Sequence, residues 1–386
     1  MSLTLRPQTH PVTPSHDPAP VRIERLATAD GQCIGRLTLD HPGTLNALTP
    51  AIVAALDGAL RQWVSDPTVV AVLLDSTSDK AFSAGANLQA MYRSIRTDDA
   101  AARDAATLAF FAPEYRLDHD IHRYPKPVIA WMHGIVMGGG VGLACGASHR
   151  VVTATTRLAM PEIAIGLFPD VGGSWFLQRM PARIGRYLAL TGARLAAADA
   201  IALGMADLFI QQSAKPAVLD ALTAAPWSTD AASNRAQVDA ILRAATDWAA
   251  LPAPEFMAHL PGVAAVANTA SPADFLTAIT AAASTDAWFE PHRQALAHGS
   301  PASAALSWIL QDRLHGASLA DVFRLELAAA MGCAAEGDFA EGIRALIIDK
   351  DKSPRWRWIT LAEAGASIES LLKPRWTGPH PLADLV

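Results

Sequence analysis

Apolar residues fall along this chain in short unbroken runs that alternate with helically spaced stretches. Residues 21–26 and 33–39 flank Asp30-Gly31 and predict a β-hairpin. His41-Pro42-Gly43 breaks the pattern. Thr49 and Pro50 then offer an N-cap and a first-turn proline, and Ile52, Leu56, Leu60 and Trp63 continue as the apolar stripe of a helix. Residues 69–74 and 128–132 read as buried strands. Between them, residues 99–124 are alanine-rich and helical in pattern, and Pro113 is expected to end or kink that helix. Two further helices are predicted over 184–190 and 196–203, and a last strand over 206–210. Residues 211–290 have weak periodicity, with helices over 234–249 and 272–283 and no recognisable chemistry. Two amphipathic helices follow within 300–335. Strands alternating with helices predict an α/β architecture.

The organisation expected from this pattern has three parts. Residues 1–20 hold five prolines and no apolar core, which predicts a disordered leader and no secretory signal. Residues 21–210 carry the strands, and residues 211–386 are mostly helical. A chain that is 51% hydrophobic and 18% charged buries a core, so disorder is excluded as the general state. The net charge of −6 argues against a nucleic-acid partner. No apolar run reaches the ~18 residues of a membrane span. Three widely spaced cysteines without a CxxC pair suggest neither a disulfide framework nor a zinc site, and they fit a reducing compartment. Cys145, in an apolar segment, reads as an inert core thiol.

Candidate chemistry concentrates in residues 127–175. Gly138-Gly139-Gly140 follow a strand and precede a short apolar helix. Glycines there suit a loop-to-helix junction where backbone must approach something closely. The helix N-terminus offers free N–H groups and partial positive charge, which suits an oxygen that gains negative charge. Glu162 and Asp170 follow, each among apolar residues, and a buried carboxylate without a partner is costly. His119 and His122 are read as solvent-facing helix residues, with no third ligand in reach. Ser174 is read as structural, because no His and acid follow it in order. No dinucleotide, Walker, zinc-protease or nucleophile-elbow motif is present.

The segments GGGVG, AMPEIAIGLFPDVGG and RYLALTGARL resemble the crotonase (enoyl-CoA hydratase/isomerase) superfamily and, within it, the 3-hydroxyisobutyryl-CoA hydrolase family. With EGIRALIIDKDKSPRW at 341–356, the resemblance spans about residues 21–358. It implies a crotonase-type spiral of repeated ββα units with a helical C-terminal region. It implies an oxyanion hole from the backbone N–H groups of Ala86 and Gly139, catalytic Glu162 and Asp170, and a substrate contact from Glu114. The residues around Glu114 alone equally permit an exposed first-turn glutamate. Hydratases resemble this chain at Glu162, but they have a second glutamate where it has Gly142 and glycine where it has Asp170. Asn87 stands where the family more often has Asp, a departure expected to bear on loop anchoring.

The implied reaction is hydrolysis of a 3-hydroxyacyl-CoA thioester, with 3-hydroxyisobutyryl-CoA foremost. Glu162 would attack the carbonyl or activate water, and the sequence leaves both open. Two alternatives stand: an enoyl-CoA hydratase or isomerase using one glutamate, and a CoA-ester-binding protein without turnover. Asp170 beside Glu162 in a pocket favours the hydrolase; Asp170 in a surface ion pair favours the binding protein. The acyl-CoA is then the partner and CoA belongs to the substrate, so neither a cofactor nor a metal is expected. Family members often oligomerise, so a homo-oligomer is compatible. The cytoplasm, or the mitochondrial matrix in a eukaryote, is the expected location.

Overall fold

The structure, a computed structural model, describes residues 20–386. The leader expected over 1–20 lies, Pro20 apart, outside the described residues. β1 (Val21–Ala27) and β2 (Cys33–Leu39) form the predicted hairpin, in register from Val21↔Leu39 to Ala27↔Cys33. The strands that follow are β3 (Val69–Ser76), β4 (Ala81–Ser83), β5 (Val128–Met132), β6 (Ile135–Met137), β7 (His149–Val152), β8 (Arg157–Ala159) and β9 (Leu208–Phe209). They build a six-stranded sheet of order β1-β2-β3-β5-β7-β9 and a three-stranded sheet of order β4-β6-β8. All pairings except β1–β2 are parallel. Parallel neighbours need a crossover connection. Here a long strand, a short strand in the other sheet and a helical segment supply it, and the unit repeats as the ββα spiral.

Local signals account for the helices between strands. α1 (Pro50–Val64) starts where expected, with the Thr49 hydroxyl accepting from the Ile52 N–H at 3.2 Å, and it buries Ile52, Leu56, Leu60 and Trp63. α2 (Leu88–Ile95) is capped by Asn87, whose Oδ1 accepts from the Ala90 N–H at 3.1 Å. This cap anchors the preceding loop. α3 (Ala100–His122) corrects one expectation: it does not end at Pro113. Pro113 is exposed, so its missing N–H falls on the solvent side. The buried face formed by Phe111, Tyr115, Leu117 and Ile121 carries the helix through. His119 corrects another. It is buried, with Nε2 3.0 Å from the Val386 carbonyl, because the C-terminal end of the chain folds back over α3.

No strand follows Phe209 among the described residues, but the helical remainder packs into the same core. The helices Lys215–Ala224 and Ala231–Ala245 lay Val218, Leu222, Val238 and Leu242 on one face of the six-stranded sheet, against Leu73, Ile129 and Trp131. The helices Pro301–Arg313 and Leu319–Ala335 are buried almost all round rather than amphipathic, because each is packed on several sides by other helices. Among the described residues no helix is long and apolar enough to cross a membrane.

Candidate active site

The site begins where β6 ends. Gly138 has φ +51, and α4 (Gly139–Cys145) starts at the next residue. Two glutamates use the bare glycine Cα atoms. A β-carbon on Gly138 would lie 2.9 Å from Glu162 Oε1, and one on Gly139 would collide with Glu114 Oε1. The loop after β4 forms the opposite wall. A parallel bridge joins Leu48 to Ala86: the Leu48 N–H donates to the Gly85 carbonyl at 2.7 Å, and the Asn87 N–H donates to the Leu48 carbonyl at 2.8 Å. In a bridge of this kind the central residue's own N–H faces away from the partner strand. Neither the Ala86 nor the Gly139 N–H finds an acceptor among the described residues.

Ala86, Glu114, Gly139, Glu162 and Asp170 all border one cavity of about 140 Å³. The five sequence-predicted residues, drawn from four separate segments, are therefore brought together. Glu114 is 2% exposed and sits in the middle of α3, which corrects the reading of an exposed first-turn glutamate. Among the described residues Asp170 has no ion-pair partner, and its Oδ2 accepts from the Tyr115 hydroxyl at 2.7 Å. Position 142 is closed to any side chain: a β-carbon there would lie 2.6 Å from Val171 Cβ and 2.7 Å from Asp118 Oδ2.

Burial dominates the electrostatics. Desolvation pushes Asp170 up to about 7, against the lowering effect of the Tyr115 hydroxyl. Glu114 rises to about 8, through burial first and the Asp170 charge second. Glu162 rises well above the usual carboxylate range for the same two reasons. All three carboxyls are therefore harder to ionise than free ones, and a charge on Asp170 opposes ionisation of Glu114 and Glu162.

Three further residues were missed from sequence. Tyr115 orients Asp170, and its position next to Glu114 was the available clue. Asp118 lies four residues beyond Glu114, a spacing that puts both on one helix face; it is buried, and neither of its oxygens has a hydrogen-bond partner among the described residues. Glu326 accepts from the N–H groups of Gly172 at 2.8 Å and Ser174 at 2.9 Å, and so clamps the turn that follows Asp170. Only its isolation in the apolar run FRLELAAAM hinted at this. Ser174 supplies a backbone contact there, consistent with a structural residue. Burial raises the Cys145 thiol to about 12, which keeps it protonated. Among the described residues no group of three His, Cys, Asp or Glu side chains is placed to hold a metal ion.

Comparison with known proteins fits this geometry. Residues 34–371 match the enoyl-CoA hydratase/isomerase family. Over 345 residues the chain is 34% identical to the mitochondrial 3-hydroxyisobutyryl-CoA hydrolase of Gallus gallus, covering 88% of this chain and 86% of that protein. The Homo sapiens protein of the same name is 31% identical over 335 residues, covering 86% and 83%. Among solved structures, an enoyl-CoA hydratase from Rhodobacter sphaeroides 2.4.1 superposes with a TM-score of 0.78 at 35% identity, covering 92% of this chain and 98% of that one. A carnitinyl-CoA dehydratase from Mycobacterium thermoresistibile gives 0.80 at 32%, covering 94% and 98%. The names of these relatives divide between hydrolysis and hydration, but the family does not divide: from the ββα spiral to the glycine junction at α4, this chain belongs to the enoyl-CoA hydratase/isomerase family.

Proposed function

We propose that this protein hydrolyses the thioester of a short 3-hydroxyacyl-CoA, with 3-hydroxyisobutyryl-CoA as the principal substrate. One observation carries the choice over hydration. The cavity holds Asp170 with Glu162, while Asp118 and Val171 fill the space that a second glutamate at position 142 would need. The relatives named 3-hydroxyisobutyryl-CoA hydrolase support the same substrate. In this reading the unbonded Ala86 and Gly139 N–H groups receive the thioester oxygen as it gains negative charge, a contribution of ~3 kcal/mol for one such donor. Glu162 either attacks the carbonyl carbon, expelling the CoA thiolate and leaving an anhydride that water opens, or takes a proton from water as it attacks. Either route consumes one water and yields the 3-hydroxy acid and CoA. Asp170, held by Tyr115, orients the substrate hydroxyl or the water. Glu114 contacts the acyl end. CoA enters and leaves with the substrate, so no resident cofactor is invoked. The proposed compartment is the cytoplasm, or the mitochondrial matrix in a eukaryote, as the names of the animal relatives suggest.

The two hydratase-type solved structures keep enoyl-CoA hydration as the second reading. A panel of purified esters separates them. Free thiol should be released from 3-hydroxyisobutyryl-CoA and 3-hydroxypropionyl-CoA, and crotonyl-CoA should be hydrated poorly. Rapid loss of the enoyl absorbance without thiol release would sink the hydrolase reading.

A further inference from the structure

The motif at 341–356 stands beside the site, and the reaction proposed above leaves it without a role. The reacting cavity, about 140 Å³, can hold an acyl group but not CoA, since pockets for drug-sized ligands start at about 300 Å³. Most of a CoA ester must lie outside it. A groove of about 390 Å³ adjoins this cavity, and Met137, Pro161, Ala164 and Leu346 line both. Its floor is apolar, with Ala159 and Ile163. Its charged side chains are Arg194 and Lys352, and among the described residues no carboxylate lines it. Arg194 and Lys352 are both exposed, and neither has an ion-pair partner among the described residues.

The loop that carries Lys352 alternates acid and base, Asp349-Lys350-Asp351-Lys352. Arg344 takes both acids: its Nη1 donates to Asp349 Oδ2 at 2.6 Å and to Asp351 Oδ2 at 2.7 Å. The lysines are left in solvent with their charge uncompensated. Lys350 and Lys352 have φ +57 and +55, in the left-handed region that residues with side chains seldom adopt. Such strain persists only where the surroundings enforce it. Here the Lys352 N–H donates to the Ala345 carbonyl at 3.1 Å, which ties the loop to the groove wall. That wall, Arg344–Ile348, is a π-helical turn, a form common at functional sites. It leaves Leu346 39% exposed where cavity and groove meet.

We infer that this groove seats the pantetheine arm of the CoA ester, and that Lys352 and Arg194 hold its phosphate groups. The arm is uncharged, which suits the apolar floor, and it crosses Leu346 on leaving the reacting cavity. The phosphates carry the negative charge, which suits two cations without acids beside them. Lysine meets a phosphate as a point charge and arginine as a planar two-pronged donor. The inference rests on the acyl-CoA reading proposed above, and a binding measurement that needs no turnover separates the two.

The experiment compares the full-length protein with Lys352→Asn, Arg194→Ala and Lys350→Ala. Asparagine removes the charge and accepts a left-handed backbone. Lys350 stands on the same loop but does not line the groove, so its variant reports the general field of the loop. Calorimetry gives dissociation constants for free CoA and for pantetheine. Thiol release gives KM for 3-hydroxyisobutyryl-CoA and for the same acyl group on pantetheine. The Kd for CoA should weaken by ~10-fold in Lys352→Asn and in Arg194→Ala, the loss of one hydrogen bond to a charged group. KM for the CoA ester should rise by a similar factor with kcat held within about 2-fold. The pantetheine ester should behave alike in all four proteins, and Lys350→Ala should match wild type throughout. Circular dichroism checks folding, and Arg194→Ala alone decides if Lys352→Asn does not fold. An unchanged Kd for CoA in the folded variants overturns the groove. So does an equal loss for the pantetheine ester, an equal weakening in Lys350→Ala, or wild-type protein that binds pantetheine as tightly as CoA. If wild-type protein releases thiol from no ester, the hydrolase reading fails while the dissociation constants for CoA still decide the groove.

Discussion

At the scale of single residues, the site is a set of carboxyls without cations. None of Glu114, Asp118, Glu162, Asp170 or Glu326 has a basic partner among the described residues. Their protonation is set by burial and by one another, and hydroxyl or backbone donors pull only Asp170, Glu162 and Glu326 down. The kcat/KM profile, which reports the free protein, should therefore show an acidic limb well above the ordinary carboxylate range, with Asp170 ionising at about 7 and Glu162, which must be ionised to attack or to accept a proton, also raised. Tyr115→Phe removes a donor that favours ionised Asp170, so that limb should move to higher pH while activity at alkaline pH is largely kept. A limb near the ~4 of a free carboxylate would contradict this arrangement. Glu162→Gln should abolish nearly all turnover, because an amide neither attacks nor accepts the proton. Asp170→Asn should lose ~10²-fold in kcat yet still bind the CoA ester, since the amide keeps the shape. Unchanged kcat in Asp170→Asn would remove Asp170 from the mechanism. A mass increase on the peptide containing Glu162, in a quenched single turnover, would distinguish nucleophile from general base.

At the scale of elements, α3 presents a conflict between local preference and packing. It delivers Glu114, Tyr115 and Asp118 to the site from the turns just after Pro113. A proline inside a helix forfeits a hydrogen bond and crowds the preceding turn. Pro113 is exposed, so nothing in the core needs its ring. Pro113→Ala should stabilise the protein by about 1–2 kcal/mol and raise the thermal midpoint, with kcat unchanged. A lowered midpoint would mean that the proline shapes the helix for packing. The Lys215–Ala224 helix poses a different question. Lys215 Nζ lies 2.7 Å from Asp75, which is fully buried in β3 and also meets Arg36 Nη2 at 2.9 Å. Lys215→Ala leaves Asp75 with one cation and should cost ~2–3 kcal/mol in urea unfolding at pH 7. A loss within experimental error would reduce this ion pair to a surface contact.

For the whole molecule, the buried carboxyls couple stability to pH. In the folded state Asp170 stands at about 7, and Glu114 and Glu326 at about 8, against 3.8 and 4.5 in the unfolded chain. Both states are protonated at the acid end. Through the window from 3.8 to about 8 the unfolded chain ionises first, so these groups reduce stability as pH rises and level off above the folded values. Glu114→Gln removes one of them. Its stability relative to wild type should therefore increase between pH 5 and pH 8, measured by urea unfolding at each pH. A difference independent of pH would show that Glu114 is already ionised in the folded protein. The helical half contributes to the site as well as covering the sheet. Phe339 and Leu346 line the reacting cavity, and Glu326 clamps the turn after Asp170.

What the sequence alone determined was local. The hairpin at Asp30-Gly31, the Thr49 cap, the buried strands and the glycine junction before α4 were all legible, because each depends on residues within a turn or two of one another. The loop from Glu162 to Asp170 was legible as two carboxylates in apolar company. Ala86, Glu114 and Gly139 came from a resemblance to a family, since nothing in their own spacing marks an oxyanion hole or a substrate contact. Tertiary structure decided the rest. It carried α3 past Pro113, buried His119 under the C-terminal residues, turned Glu114 into a cavity and brought Glu326 to a turn more than a hundred residues earlier in the chain. It also wedged Val171 against Gly142. The physical reason is common to all of these. Periodicity reports which face of an element is apolar, but the partner across that face, and hence the charge and space a side chain meets, is set only when distant segments pack.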